Sequence, residues 1–436
     1  MRDKKPEEIC ACHARRAGCK EKCMKKYYHI VQQITYLGFF LLAVFAVRSF
    51  DESIPSQIYV TKGRTVSYEF GVPVSVELKE NDASEVFENL SHAPESGRAS
   101  ARGAKESYTV TCRLFGIFPV KDVEVMLVDV DTVYASGMPI GIYAKTDGVL
   151  VIGAGAVTDA SGRELRPAEN LVRSGDYIVS VNGETVTEKD ELIEKINAFG
   201  GDREILGIRR QNEYIEVSIT PVKSTQGSYM LGIWVRDDLA GVGTLTYFKQ
   251  DGQFGALGHA VSDGDTGTRM EMSEGWIYQT SIVGIRKGEK GSPGELSGII
   301  DYSKESCLGS ITENTPLGIR GVLSGKSGSP MAADSYEVAY KQDIRMGTAY
   351  IISSIGGAPE LYEISIESLD FSGNEENKGI LFRVTDRRLL ALTGGIVQGM
   401  SGSPIIQEGK MIGAVTHVFV SDASKGYGIF IEKMLR

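Results

Sequence analysis

Histidine is scarce in this chain. Only His13, His29, His92, His259 and His417 carry an imidazole among 436 residues. A hydroxyl nucleophile needs a base, and imidazole is the side chain that titrates closest to neutrality, so acid–base chemistry here has few possible centres. Cysteine is nearly as rare, six residues in all. Cys10, Cys12, Cys19 and Cys23 precede the one long apolar run, and Cys112 and Cys307 follow it. Cys10-Ala11-Cys12-His13 with Cys19 and Cys23 lacks the spacing of a zinc finger and the flanking pattern of a folded one. No metal site is read there; a reduced or acylated juxtamembrane tail fits better. Positive charge is also confined. Residues 1–29 hold nine Lys/Arg against four acids, a net of +5, which leaves −15 on the rest of a chain whose total is −10. An acidic bulk argues against nucleic-acid binding.

The apolar run covers Ile34 to Val47, and counted from Tyr28 it reaches twenty residues. That length spans a hydrocarbon core of roughly 30 Å as a helix. The basic flank places the N-terminus in the cytoplasm. Val47-Arg48-Ser49-Phe50 is a poor site for signal cleavage, so an uncleaved anchor is expected over residues 30–48.

Beyond the anchor, 51 glycines and many short runs of Val, Ile and Tyr point to mainly β structure in about two or three domains. Residues 49–125, with strands near Gln57–Val60 and Tyr108–Leu114 around a polar run, read as a β-rich stalk with a flexible insert. Residues 126–222 read as a PDZ domain. Gly137-Met138-Pro139-Ile140-Gly141-Ile142-Tyr143 would be its peptide-receiving loop and strand, with Gly137, Ile140, Gly141 and Ile142 in contact with peptide. Asn182-Gly183 would turn a later hairpin, and Thr187 would cap a helix running to Phe199 with Leu192, Ile193 and Ile196 on its apolar face.

The chemistry centres on Gly399-Met400-Ser401-Gly402-Ser403-Pro404. Gly-x-Ser-Gly-x-Pro sets a serine on a tight turn whose N–H groups can converge on a developing oxyanion, here those of Gly399 and Ser401. A second copy stands at Gly325-Lys326-Ser327-Gly328-Ser329-Pro330. Ser401 leads into Ile405-Ile406, a turn at Gln407–Lys410 and a second strand from Met411, whereas Ser327 leads into no such hairpin, so Ser401 is preferred. His259, in the small-residue stretch Phe254-Gly255-Ala256-Leu257-Gly258-His259, is the candidate base; His417, on a strand beyond the serine, would line the cleft or pack in the core. Asp386, at the end of an alternating strand and the last acid before Ser401, is the candidate for orienting the imidazole. Asp263, Asp265, Asp301, Asp343 and Asp370 are its rivals, and an ion pair with Arg387 or Arg388 is its alternative role. Gly395, six residues before the serine, would leave a specificity pocket without charge. This chemistry requires no metal or cofactor.

Gly241-Val242-Gly243-Thr244-Leu245-Thr246, Phe254–His259, Pro293-Gly294-Glu295 and Gly394–Pro404 together resemble the stage IV sporulation protein B family, membrane-tethered serine peptidases of endospore formers with a PDZ module. The resemblance implies a catalytic set on His259, Asp386 and Ser401. It also implies a chymotrypsin-like double β-barrel over residues 223–436 and a location between the two forespore membranes. The implied partners are a membrane-protein complex as substrate, in a pathway that activates a mother-cell transcription factor, and peptide C-termini or a second copy at the PDZ domain. The competing expectation is a tethered PDZ scaffold whose protease domain has lost its chemistry.

Overall fold

The computed structural model describes residues 32–42, 44–45, 48, 54–61, 65–67, 74–78, 98–100, 107–325, 333–372 and 375–435. The chain divides into two compact units, Met1–Leu127 and Val128–Arg436. The protein is mainly β. Residues 32–42 are helical and exposed, but no described helix is long and apolar enough to cross a membrane. The four N-terminal cysteines, His13, His29, His92 and the whole Lys326–Pro330 part of the second Gly-x-Ser-Gly-x-Pro copy lie outside the described residues.

In the first unit, strands run in the order Gln57–Thr61, Phe118–Val128, Ser107–Leu114, Val74–Leu78. Alternation in Ser107–Leu114 buries Tyr108, Val110 and Cys112 against Ile58, Val60, Val123 and Val125, the period-two pattern of a sheet with one covered face.

The second unit contains two rings of antiparallel strands. In the first, Thr132–Ala154 pairs with Ile233–Phe248, then Gln253–Ala256, Gly318–Leu323, Cys307–Thr315 and Met272–Arg286, which returns to Thr132–Ala154. In the second, Gly347–Ser353 pairs with Glu360–Leu369, Ile380–Val384, Lys425–Phe430, Lys410–Val418 and Pro404–Gln407, which returns to Gly347–Ser353. Six strands closed on themselves leave an interior that side chains alone can fill. Ile140, Ile142, Leu245, Phe254 and Ile277 fill the first; Ile351, Ile364, Phe382, Ile405 and Phe430 fill the second.

Between residues 147 and 236 a smaller body hangs on the long strand. Its sheet joins Val149–Leu150, Tyr177–Val181, Glu204–Arg210 and Glu213–Ile219, and one helix, Lys189–Ala198, covers a core of Val149, Ile178, Leu192, Ile196, Leu206 and Ile208. Asn182 (φ +50°) and Gly183 (φ +82°) make a two-residue hairpin turn with both centres left-handed. The helix starts one residue later than Thr187 suggests. Glu188 is its N-cap, because the Glu191 carboxylate reaches back to accept the N–H groups of Thr187 (2.9 Å) and Glu188 (3.4 Å). Leu192 and Ile196 are buried as expected, while Ile193 points to solvent.

The long strand corrects two expectations. Residues 132–146 belong to the first ring, not to a separate PDZ domain, so the ring is completed by chain that precedes the smaller body. The proposed peptide-receiving strand is therefore closed on both sides. Ile140 is paired with Gly243 and Gln279, Gly141 with Val242 and Tyr278, and Ile142 with Gly241 and Ile277. Strand addition needs a free edge, and Gly137, Ile140, Gly141 and Ile142 have none to offer. Gly137 is held instead by Ser354, whose hydroxyl and amide both donate to its carbonyl.

Candidate active site

His259 and Ser401 reach the junction of the rings from opposite sides. His259 follows the Gln253–Ala256 strand of the first ring through an abrupt bend: Leu257 (φ +71°) and Gly258 (φ +72°) are both left-handed, and Gly258 N–H donates to Ala256 O at 2.9 Å across a three-residue turn. Such a turn centred on a non-glycine residue is strained, and it persists only where the surroundings hold it. Here a Cβ on Gly258 would meet Thr416 Cγ2 at 2.8 Å and Ile429 Cγ2 at 3.0 Å, so the bend is pressed against the second ring.

Ser401 is delivered by the short strand Val397–Gln398, which pairs in parallel with Gly294 and Glu295. That pairing accounts for the Pro293-Gly294-Glu295 motif: a Cβ on Gly294 would meet Gly288 N and Val397 Cγ1 at 2.5 Å. Gly399 (φ +98°) and Gly402 (φ +98°) frame the turn in a conformation that L side chains rarely adopt. Gly402 also lies against Thr244 O and within 2.6 Å of Leu257 N by the same measure, which joins the serine turn to the histidine bend. Downstream, Pro404–Gln407 and Lys410–Val418 form the expected hairpin, with Glu408 (φ +50°) and Gly409 (φ +75°) at its turn.

Backbone bonding in the turn is selective. Met400 N–H donates to Val397 O, Gly402 N–H to Val415 O and Ser403 N–H to Met400 O. The N–H groups of Gly399 and Ser401 donate to no acceptor among the described residues. Both remain available as donors at the serine turn. Thr244 of the first ring clamps the turn from outside, its hydroxyl donating to Gly399 O (2.8 Å) and its amide to Ser401 O (3.1 Å). The sequence shows Thr244 within a glycine-rich stretch but gives no sign of this role.

The side chains are less fully assembled. Ser401 Oγ donates to Thr416 O at 2.9 Å. His259 Nδ1 is 2.8 Å from Ala260 O, which fixes the proton on Nδ1 and leaves Nε2 as the lone-pair nitrogen. Burial lowers the His259 pKa from its ordinary value, the Ala260 bond opposing this, so the ring is neutral at pH 7. His417 stands beside it, ring centroids 5.4 Å apart. Its pKa is lowered to about 4, first by burial and then by His259 and Lys378.

Asp386 is not at the ring. It caps the helix Arg387–Thr393, accepting Arg388 N–H at 2.8 Å, and pairs with the Arg388 guanidinium at 2.9 Å. Glu363 N–H approaches its other face at 3.4 Å. The Arg388 side chain is the largest cause of a carboxyl pKa held down to about 2. Among the described residues no hydrogen bond or ion pair connects Asp386 with His259. The expectation that its carboxylate orients the imidazole is corrected on that point, because the helix end and Arg388 already occupy both oxygens. Gly395 has a backbone reason as well: at φ +143° it packs against Ala423 O, where no side chain fits.

The model of the SpoIVB peptidase S55 family matches residues 227–435. Over this segment the chain is similar to SpoIVB-type peptidases. The match starts after the smaller body, so residues 132–146 of the first ring fall outside it. Two curated relatives from Xylella fastidiosa, strains Temecula1 and 9a5c, each bearing the name "Putative zinc metalloprotease", are 31% identical over 68 residues. The chain spans 15% of the length of each, and the alignment is 15% of this chain. Solved structures with some likeness include the PDZ domains of SdrC-like proteins from Listeria innocua (25% identical, 21% of this chain and 94% of that one, TM-score 0.18) and Listeria monocytogenes (23%, 20% and 87%, 0.17).

The strand beside the helix Lys189–Ala198 is not the expected one. Leu231-Gly232-Ile233, with Gly232 at φ +66°, leads into Ile233–Phe248. Ile233, Trp234 and Val235 pair with Ala154, Gly153 and Val151 on one side, and no described strand pairs with them on the other. Lys189 N–H donates to Asp237 Oδ2 at 2.9 Å, and Leu231, Ile233 and Val235 pack into the core that holds Leu192 and Ile196. A turn glycine between apolar residues ahead of an alternating run was the available sequence signal.

Proposed function

We propose that this protein is a serine endopeptidase in which Ser401 is the nucleophile and His259 the general base. The observation that carries this reading is the glycine-framed turn that presents Ser401, whose N–H groups on Gly399 and Ser401 have no acceptor among the described residues and whose Gly402 packs against the His259 bend. In the reaction Ser401 Oγ turns from Thr416 O to His259 Nε2, which takes its proton as Oγ bonds to a peptide carbonyl carbon. The carbonyl oxygen gains negative charge and is met by the two N–H groups; His259 then returns the proton to the leaving amine. The Ala260 carbonyl, accepting from Nδ1–H, stabilises the imidazolium in the meantime. No cofactor takes part in these steps.

A protein substrate would lie between the two rings, and the side of Ile233–Val235 that no described strand pairs with suits an extended peptide added as a strand. This moves the peptide-binding function of the PDZ-like body away from Ile140. The membrane anchor over residues 30–48, the exported catalytic domain and a role in sporulation signalling are part of the same proposal, resting on the apolar run, the basic N-terminal flank and the family.

The test is labelling of the full chain with an active-site fluorophosphonate. Wild type is expected to label and Ser401→Ala to remain blank. No labelling of folded wild type would favour the scaffold, and labelling that survives Ser401→Ala but is lost in Ser327→Ala would move the nucleophile.

A further inference from the structure

The segment that follows His259 is held by two clasps. The first belongs to the ring: Asn314 Oδ1 accepts Val261 N–H at 2.8 Å, and its Nδ2 donates to Val261 O and Met270 O, each at 2.9 Å. The second comes from the end of Ile233–Phe248 that borders the smaller body. Arg236, on the stretch that continues Ile233–Val235 beside the helix, forks across Asp263 and Asp265: Nη1 bonds Asp263 Oδ2, and Nη2 bonds Asp265 Oδ2 at 2.9 Å. Asp263 is only 1% exposed. Its other oxygen accepts Asp265 N–H (3.0 Å) and Thr266 N–H (2.8 Å), and its amide donates to Thr268 O (3.0 Å), so the carboxylate organises the whole return of the loop toward Met270. A buried carboxylate with that many dependants needs its cation. Without Arg236 the charge would draw in water and the loop would loosen.

We propose that Arg236 is a positioning residue of the catalytic centre, through which the strand bordering the helix Lys189–Ala198 fixes the loop that presents His259. The chain of contacts is short. Asp263 is four residues from His259, and Arg236 is one residue from Asp237, which accepts from Lys189 at the start of the helix. Val261 and Met270, the ends of the loop, join by a 3.0 Å backbone bond and sit in the core of the first ring, so the loop that Asp263 organises is tied directly to the residues that follow His259. A peptide seated beside Ile233–Val235 would act on the same strand, which gives peptide binding a mechanical route to the base.

The proposal rests on Ser401 and His259 being the reacting pair. It is tested by the second-order rate of fluorophosphonate labelling of the full chain across pH 4–8, for wild type, Arg236→Ala and Arg236→Lys, with melting temperatures recorded alongside. Displacing a base by about 1 Å costs on the order of 10²-fold, so Arg236→Ala is expected to slow labelling by about tenfold or more at a temperature where it is folded. Its acid limb should move up toward the ordinary histidine value of about 6.5 as the loosened loop rehydrates His259. His417 faces that ring, with Lys378 and Glu375 beyond it, and the substitution touches none of them. Arg236→Lys should recover part of the rate, since an ammonium keeps the charge but not the fork. A folded Arg236→Ala variant with wild-type rate and acid limb would overturn the proposal alone. Failure of wild type to label would overturn the peptidase reading and the proposal together.

Discussion

At the scale of single residues, the site is a matter of which polar groups are already engaged. Ser401 Oγ rests on a backbone carbonyl, His259 has its tautomer set by its own neighbour, and Asp386 is committed to a helix end. Asp386→Ala is accordingly expected to reduce labelling by less than about tenfold while lowering stability by about 1 kcal/mol, the usual worth of an N-cap. A fall approaching the roughly 10⁴-fold loss seen when a triad carboxylate is removed would instead put Asp386 at the ring. The lowered His259 pKa predicts an acid limb of the rate profile below pH 6.5, read from labelling against pH. The same shift has a stability consequence. A histidine whose folded pKa is depressed gives stability that is full above the unfolded value near 6.5 and is lost as pH falls, because only the unfolded chain takes up the proton. His417 adds to this down to about pH 4. The melting temperature is thus expected to drop between pH 6.5 and 4, and His417→Phe to flatten that drop.

At the scale of elements, turns decide what strands alone could not. The hairpin after the nucleophile was legible because Glu408-Gly409 sits between two apolar runs. The hairpin at Asn182-Gly183 was legible for the same reason, a dipeptide that tolerates two left-handed centres. The helix was legible from Leu192 and Ile196. The bend at Leu257 was not, since nothing in a leucine announces φ +71°. Gly402→Ala tests how closely bend and turn are joined: the added methyl would collide with Thr244 O and Leu257 N at a φ of +98°. Destabilisation of at least about 1–3 kcal/mol is expected by denaturant unfolding, with labelling lost. Gly409→Ala, also left-handed but with nothing within 4 Å, should cost about 1 kcal/mol and leave labelling intact.

At the scale of the whole molecule, the first ring closes only with chain from the far side of the smaller body. Residues 227–435 alone lack Thr132–Thr146 and would leave Ile233–Phe248 and Met272–Arg286 as bare, partly apolar edges. A fragment of residues 227–436 is expected to aggregate or to unfold without cooperativity, whereas residues 128–436 should melt as a folded unit; calorimetry and size-exclusion chromatography distinguish the two. The C-terminus adds a further tie between rings, with Tyr247 Oη and Arg320 Nε both donating to Met434 O, at 3.0 and 3.2 Å.

What the sequence determined by itself was local: β-rich composition, the hairpin that follows Ser401 and not Ser327, and the turn dipeptides that set hairpins. These depend on φ preferences and on side-chain alternation, which short stretches carry in full. Only the tertiary structure decided which strands were neighbours. Ile140–Ile142 reads as an exposed receptor strand, but pairing over more than 90 residues of separation closes both its edges, while one side of Ile233–Val235 has no partner among the described strands. It likewise decided that Asp386 serves its own helix and that Arg236 holds the loop beyond His259. Charges and edges find their partners through the folded chain's closure, and the spacing of residues along the sequence does not encode which partner is nearest.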